Sequence, residues 1–362
     1  MVDQPPLTRR QTLRLAATAG LGLASLGLAG CGARSPRPRL LASRGDLPGA
    51  WSARLPKGWQ VLLRDEPAAV LAAMAAADNG ADRERPALLQ LGDGWATRLD
   101  RQALQPIGTA ALLTRLDPQA AAVARLFASG TGVPQLAFPW AINPWVLVLR
   151  NRPDLARRAP EGWDLLLDPS LRGHLVLPSS PRLTMALVEE DPERLGRLRR
   201  QALAHDDRDG LSLLLQGYAE AAVVPRQRVV PLLRRDPRLE VVLPEQGGPL
   251  SWNLLLSPAG APPPPLEWLG EALEPPLLPG LLAAGWVPPL PQRPLENALA
   301  PFPARLRSLL LPAASVRGRW RDLPPLAPAE RQRLQALWDG AAPGEAGNTP
   351  HSSPQPSPRG RR

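Results

Sequence analysis

The chain is poor in the residues that staple, ligate or react. Its one cysteine, Cys31, excludes an intrachain disulfide, so any fold must be held by packing alone. Of three histidines only His174 and His205 lie within the patterned part of the chain. No Cys/His/Asp/Glu cluster has metal-ligand spacing, so no metal is expected, and His205-Asp206-Asp207 reads as a solvated acidic run. There is no Gly-x-Ser-x-Gly elbow and no Walker-type phosphate loop, so neither hydrolase nor nucleotide chemistry is encoded; no enzyme and no cofactor are expected. Lysine is nearly missing: Lys57 stands alone among 43 basic residues, and the formal net charge of +10 is arginine charge. These arginines fall in scattered pairs (Arg157-Arg158, Arg199-Arg200, Arg234-Arg235) without interleaved aromatics. That describes a solvated surface, not a nucleic-acid patch. Beyond residue 30 no apolar run is long enough to span a bilayer.

What is present begins with a leader. Thr8-Arg9-Arg10-Gln11-Thr12-Leu13 resembles a twin-arginine export signal, and Leu13 to Gly30 is a Gly/Ala-rich apolar run broken by Arg14. Leu28-Ala29-Gly30-Cys31 resembles a bacterial lipobox, whose small residues admit a signal peptidase before a cysteine that becomes diacylated. A structural cysteine in that place is the alternative. Residues 1–30 are thus expected to be a signal peptide, with Cys31 the lipid attachment. The mature chain would work in the periplasm, anchored to the cell membrane after twin-arginine or general secretory export. Residues 31–39 read as a Pro/Arg tether and 341–362 as a disordered tail rich in Pro, Ser, Gly and Arg.

Between tether and tail, short apolar runs alternate with helical patterns. Leu40-Leu41-Ala42-Ser43, Trp59 to Leu63, Ala87 to Leu91, Val146 to Arg150, His174 to Leu177, Ala221 to Pro225, Glu240 to Leu243 and Trp252 to Ser257 read as strands. Pro67 to Ala77, Leu211 to Tyr218, Val229 to Arg235, Leu266 to Leu273 and Glu330 to Asp339 read as helices, and Asp117 caps another that runs to Leu126. Such alternation implies parallel βαβ units, and the patterned length exceeds one ordinary core and suits two lobes. No internal repeat is evident.

Several segments together resemble the extracytoplasmic solute-binding proteins of ABC importers, in particular the spermidine/putrescine-binding branch. They are Leu99 to Ile107, Phe138 to Arg150, Trp163-Asp164-Leu165-Leu166 with Asp168 to Leu175, and Val242 to Trp252-Asn253. The resemblance covers about 40–338. It implies an α/β, two-lobed type 2 periplasmic-binding-protein fold. Each lobe would be a mostly parallel sheet flanked by helices, with two hinge crossings, lobe 1 at 40–138 and 252–340, lobe 2 at 139–251. It also implies a small-molecule ligand, an inner-membrane ABC permease as partner, a membrane contact through the lipid, and a monomer. Polyamine binders of this branch use several carboxylates. Here Ser180 and Leu183 stand at two such positions, Asn253 at a third, and Arg44-Gly45-Asp46 replaces the aromatics of the first loop. A ferric site of the superfamily would draw on tyrosines, and Tyr218 is the only one.

In open α/β sheets ligands sit beyond the carboxyl ends of the strands, where topology switches. That rule nominates Arg44, Asp46, Asp93, Trp95, Trp140, Asn143, Ser180, Trp252 and Asn253. Each also has a plainer reading. Asp46, Asp93 and Ser180 would serve as helix caps, Trp95 and Trp252 as packing, and one of Trp140 and Trp145 is expected at the cleft. The function expected is capture of a small polar solute by cleft closure for delivery to a permease. The alternative is an envelope lipoprotein of the same fold acting as a structural or sensory partner.

Overall fold

The computed structural model describes residues 37–78 and 85–343; the leader, Cys31 and residues 344–362 lie outside them. In chain order the strands are β1 (Arg39–Ser43), β2 (Gln60–Arg64), β3 (Leu88–Gly92), β4 (Leu104–Gln105), β5 (Ala137–Arg150), β6 (Leu175–Leu177), β7 (Ala202–His205), β8 (Ala221–Pro225), β9 (Leu239–Val242), β10 (Gly248–Pro258) and β11 (Trp320–Arg321). Leu/Val runs make β1, β3, β6 and β8 buried along most of their length, as strands covered on both faces must be.

The two halves repeat one strand order without repeating sequence. In the first, β1 lies between β2 and β3, all parallel, then β10 and β5 follow antiparallel. In the second, β6 lies between β7 and β8, all parallel, then β5 and β9 follow antiparallel. β5 serves both halves: Ala137–Pro144 pairs with β10, and Trp145–Arg150 pairs with β8 and β9. β5 therefore carries the chain into the second half, and the chain returns from β9 through 243–247 into β10; β5 and β10 are the hinge strands.

β5 contains Pro139, which has no N–H for the ladder, and its register against β10 shifts there: Ala141 faces Asn253 but Pro139 faces Leu254. Trp140 is the extra residue of this bulge. Its ring enters the first half's core, 4.9 Å from Trp51 and 5.0 Å from Trp286 between centroids. Trp51 stacks on Trp268 at 4.3 Å, and each indole N–H donates to the other's backbone carbonyl, at 2.9 and 2.8 Å. The second half's sheet is covered by separate apolar clusters, one around Leu147, Leu165 and Leu177, the other around Val146, Val148 and Leu214.

The C-terminal helix Pro328–Gly340, expected in lobe 1, packs on the other half. Leu334 and Ala341 belong to the cluster of Leu165 and Leu177, and the Arg199 guanidinium lies 3.9 Å over the Trp338 ring. The chain thus passes between halves a third time through 318–327, and Ala341, expected to begin the tail, is buried. Among the described residues no helix is long and apolar enough to cross a membrane.

Candidate ligand cleft

The carboxyl ends of the parallel strands of both halves converge on one cavity of about 390 Å³. From the first half, β1 delivers Ser43, Arg44 and Asp46, β2 delivers Asp65 and Glu66, and β3 delivers Gly92 and Trp95. From the second, β6 delivers Ser179, β7 delivers His205, Asp206 and Asp207, and β8 delivers Gln227 and Arg228. The hinge strands supply Trp145, Ser251, Trp252 and Asn253. Gly45 turns the chain back after β1 at φ 85°, and the Asp46 N–H donates to the Ser43 carbonyl at 3.1 Å.

Much of the polar lining is already engaged. Arg44 Nε lies 3.4 Å from Asp65 Oδ1. Asp206 Oδ1 accepts from the backbone N–H groups of Arg208 and Asp209, at 2.7 and 2.9 Å. The Asp207 carboxylate accepts from the N–H and the hydroxyl of Ser179, while its backbone carbonyl accepts from Arg228. Trp145 Nε1 donates to Ser251 Oγ at 2.8 Å, and Gln90 Nε2 donates to Asn253 Oδ1 at 3.1 Å. The half-buried carboxyl of Asp46 is pushed up to about 6 by burial, with the Arg228 charge opposing. Burial lowers His205, whose Nδ1 lies 3.2 Å from the Pro178 carbonyl oxygen.

Of the residues nominated from sequence, Arg44, Asp46, Trp95, Trp252 and Asn253 line this cavity. The other four do not. Trp140 is fully buried in the tryptophan cluster, carried there by the bulge, and Trp145 is the hinge indole at the cleft. Asn143, paired with Ser251, is wholly buried, and its amide makes no hydrogen bond among the described residues. Ser180 caps the helix Pro181–Leu187, leaving Ser179 at the cavity. Asp93 is buried and accepts from the Trp252 backbone N–H at 3.1 Å, fastening β3 to the hinge.

His205 and Asp207, set aside as a solvated run, line the cavity because β7 pairs with β6 and ends beside it. Asp65, Glu66 and Arg228 were open to the same strand-end rule that nominated Arg44.

Burial pushes the Asp93 carboxyl up to about 7, and the neighbouring Asp322 charge adds to it. An acid whose pKa is higher folded than unfolded destabilises the fold as pH rises from its unfolded to its folded value. Stability should therefore fall between pH about 4 and 7, with Asp46 adding the same sign up to about 6. Asp93→Asn should flatten the melting-temperature profile between pH 6 and 7; an unchanged profile would contradict this origin.

No family model matches the chain, and no curated protein matches it in sequence. Solved structures do match. A spermidine/putrescine ABC transporter protein of Listeria monocytogenes is 14% identical with a TM-score of 0.59, over 84% of this chain and 98% of that one. The spermidine/putrescine substrate-binding protein of Streptococcus pneumoniae is 13% identical with a TM-score of 0.60, over 85% and 98%. A periplasmic thiamin binding protein is 13% identical with a TM-score of 0.57, over 84% and 95%. At these identities the likeness is one of architecture, and it agrees with the repeated strand order and the paired hinge strands: the chain has the two-lobed type 2 periplasmic-binding-protein fold.

Proposed function

We propose that this protein is the solute-binding component of an ABC importer. Its halves close on a small molecule in the cleft and present the closed form to a permease. The observation that carries the reading is the convergence of strand ends from both halves on a single cavity between two hinge strands. A guest touching Trp95 on one side and Asp207 or Arg228 on the other gains contacts only when the halves approach, so binding itself drives closure. The matched structures, two of them spermidine/putrescine ABC transporter proteins and one a periplasmic thiamin binding protein, support a role of this kind. Anchoring by lipid at Cys31, delivery outside the cell membrane, action as a monomer and lobe boundaries at Pro144/Trp145 and before Gly248, where the strand partners change, belong to the same proposal.

A long polyamine fits poorly, because each buried ammonium needs a compensating carboxylate. The Asp206 and Asp207 carboxylates are engaged by the protein's own donors and Asp65 is paired with Arg44, which leaves Asp46 and Glu66. A compact solute is the better occupant.

The reading is tested by melting the protein against polyamines, amino acids, organic acids and thiamin. A ligand at one hundred times its Kd adds about 2.7 kcal/mol to folding stability. A panel that shifts nothing would favour the structural or sensory alternative. Trp145→Ala should weaken any ligand found by at least about tenfold, read on the folded fraction because Trp145 also packs in the second half's core, since the indole forms one wall and its N–H holds Ser251. Unaltered affinity would remove Trp145 from the site.

A further inference from the structure

Beside the cleft lies an open chamber, a depression of about 540 Å³ lined by both halves. Leu47, Leu281 and Trp286 face it from the first half; Leu211, Leu215 and Leu232 face it from the second. Among the described residues, the only charged ones lining it are Arg208 and Arg228, and these two line the cleft as well, so they stand where the spaces meet. Neither guanidinium forms an ion pair among the described residues. Arg228 donates to the Asp207 backbone carbonyl, and the Arg208 side chain makes no hydrogen bond among the described residues. Of the nearby carboxylates, those of Asp206 and Asp207 are turned to other donors, and half-buried Asp46 is the one whose charge acts on Arg228.

We propose that this chamber holds the apolar body of an organic anion whose carboxylate or sulfonate is clamped by Arg208 and Arg228. The proposal rests on the solute-binding reading and names the ligand class. An ammonium placed in the chamber would lose its water with no carboxylate among the lining residues to replace it. An anionic head instead meets planar guanidinium forks with free donors, while its body covers leucine and indole surface. Because Leu47 and Trp286 belong to one half and both arginines to the other, such a guest spans the hinge.

The test is calorimetric titration of the full protein with 4-phenylbutyrate, its methyl ester and spermidine, on the wild type, on Arg208→Gln and on Arg208→Gln/Arg228→Gln. The acid should bind, the ester at least tenfold more weakly, and the double variant should lose at least tenfold for the acid but not for the ester. The single variant, which gives up no bond within the protein, keeps the comparison valid if the double variant folds poorly; it should lose several-fold for the acid alone. Equal binding of acid and ester, acid binding indifferent to the arginines, or no binding of the acid would each overturn the proposal. If the acid fails while another solute of the panel raises the melting temperature, the ligand class falls and solute capture stands; if no solute does, solute capture falls too.

Discussion

Trp51→Ala should lower the unfolding free energy by about 3–5 kcal/mol, the range for deleting a fully buried large aromatic. Trp51 is fully buried, stacked on Trp268 and in contact with Trp140. Its indole N–H satisfies the Trp268 carbonyl, so truncation leaves both a cavity and an unpaired buried acceptor. Domains are stable by only about 5–15 kcal/mol, so the loss would be a large share of the total. Urea denaturation should show a lower midpoint with an unchanged slope. A loss below about 1 kcal/mol would mean that the tryptophan cluster does not hold the first half together. Trp145 is 6% exposed and part of the second half's core, so its truncation to Ala should also cost stability and in addition act on binding.

The second large effect is expected at Arg226, which is fully buried and has no carboxylate partner among the described residues. It follows β8 in the second half, yet its guanidinium donates to the carbonyls of Leu309 and Leu310, at 3.0 and 3.1 Å, and of Ile142 in hinge strand β5, at 3.3 Å. Leu309 and Leu310 belong to the first half's core, so one side chain pins the halves together behind the cleft. Burial without an acid pulls its pKa below the ordinary arginine value, yet its guanidinium donates to three carbonyls. Arg226→Ala should cost about 3–5 kcal/mol through the cavity and the unpaired carbonyls. Arg226→Met refills the volume without donors, so comparing the two by urea denaturation separates the contributions. Full recovery in Arg226→Met would show that volume, and not hydrogen bonding, is what Arg226 supplies.

The sequence was most legible where periodicity and burial agree. The strand read at Ala221 to Pro225 is β8 residue for residue, and the helix read over Pro67 to Ala77 differs by one residue at its end. The stretch between 274 and 312 was opaque because proline there looks like a breaker. In the folded chain Pro276, Pro291 and Pro303 each stand immediately before a helix (Leu277–Ala283, Gln292–Leu299, Ala304–Leu310), where the missing N–H costs nothing. Trp140 could not be placed by alternation, since a bulge depends on which partner residue the ladder skips. Asp93 failed for a tertiary reason: its acceptor role toward Trp252 joins residues 159 positions apart. His205 and Asp207 were missed because β7 has too few residues to show a period.

The central claim is that two halves close over a solute in the cleft, and small-angle X-ray scattering with and without a saturating ligand tests it most directly. The account predicts that the first compound to raise the melting temperature also reduces the radius of gyration, and that Trp145→Ala needs at least about tenfold more of it for the same contraction. An unchanged scattering curve under saturating ligand would contradict it.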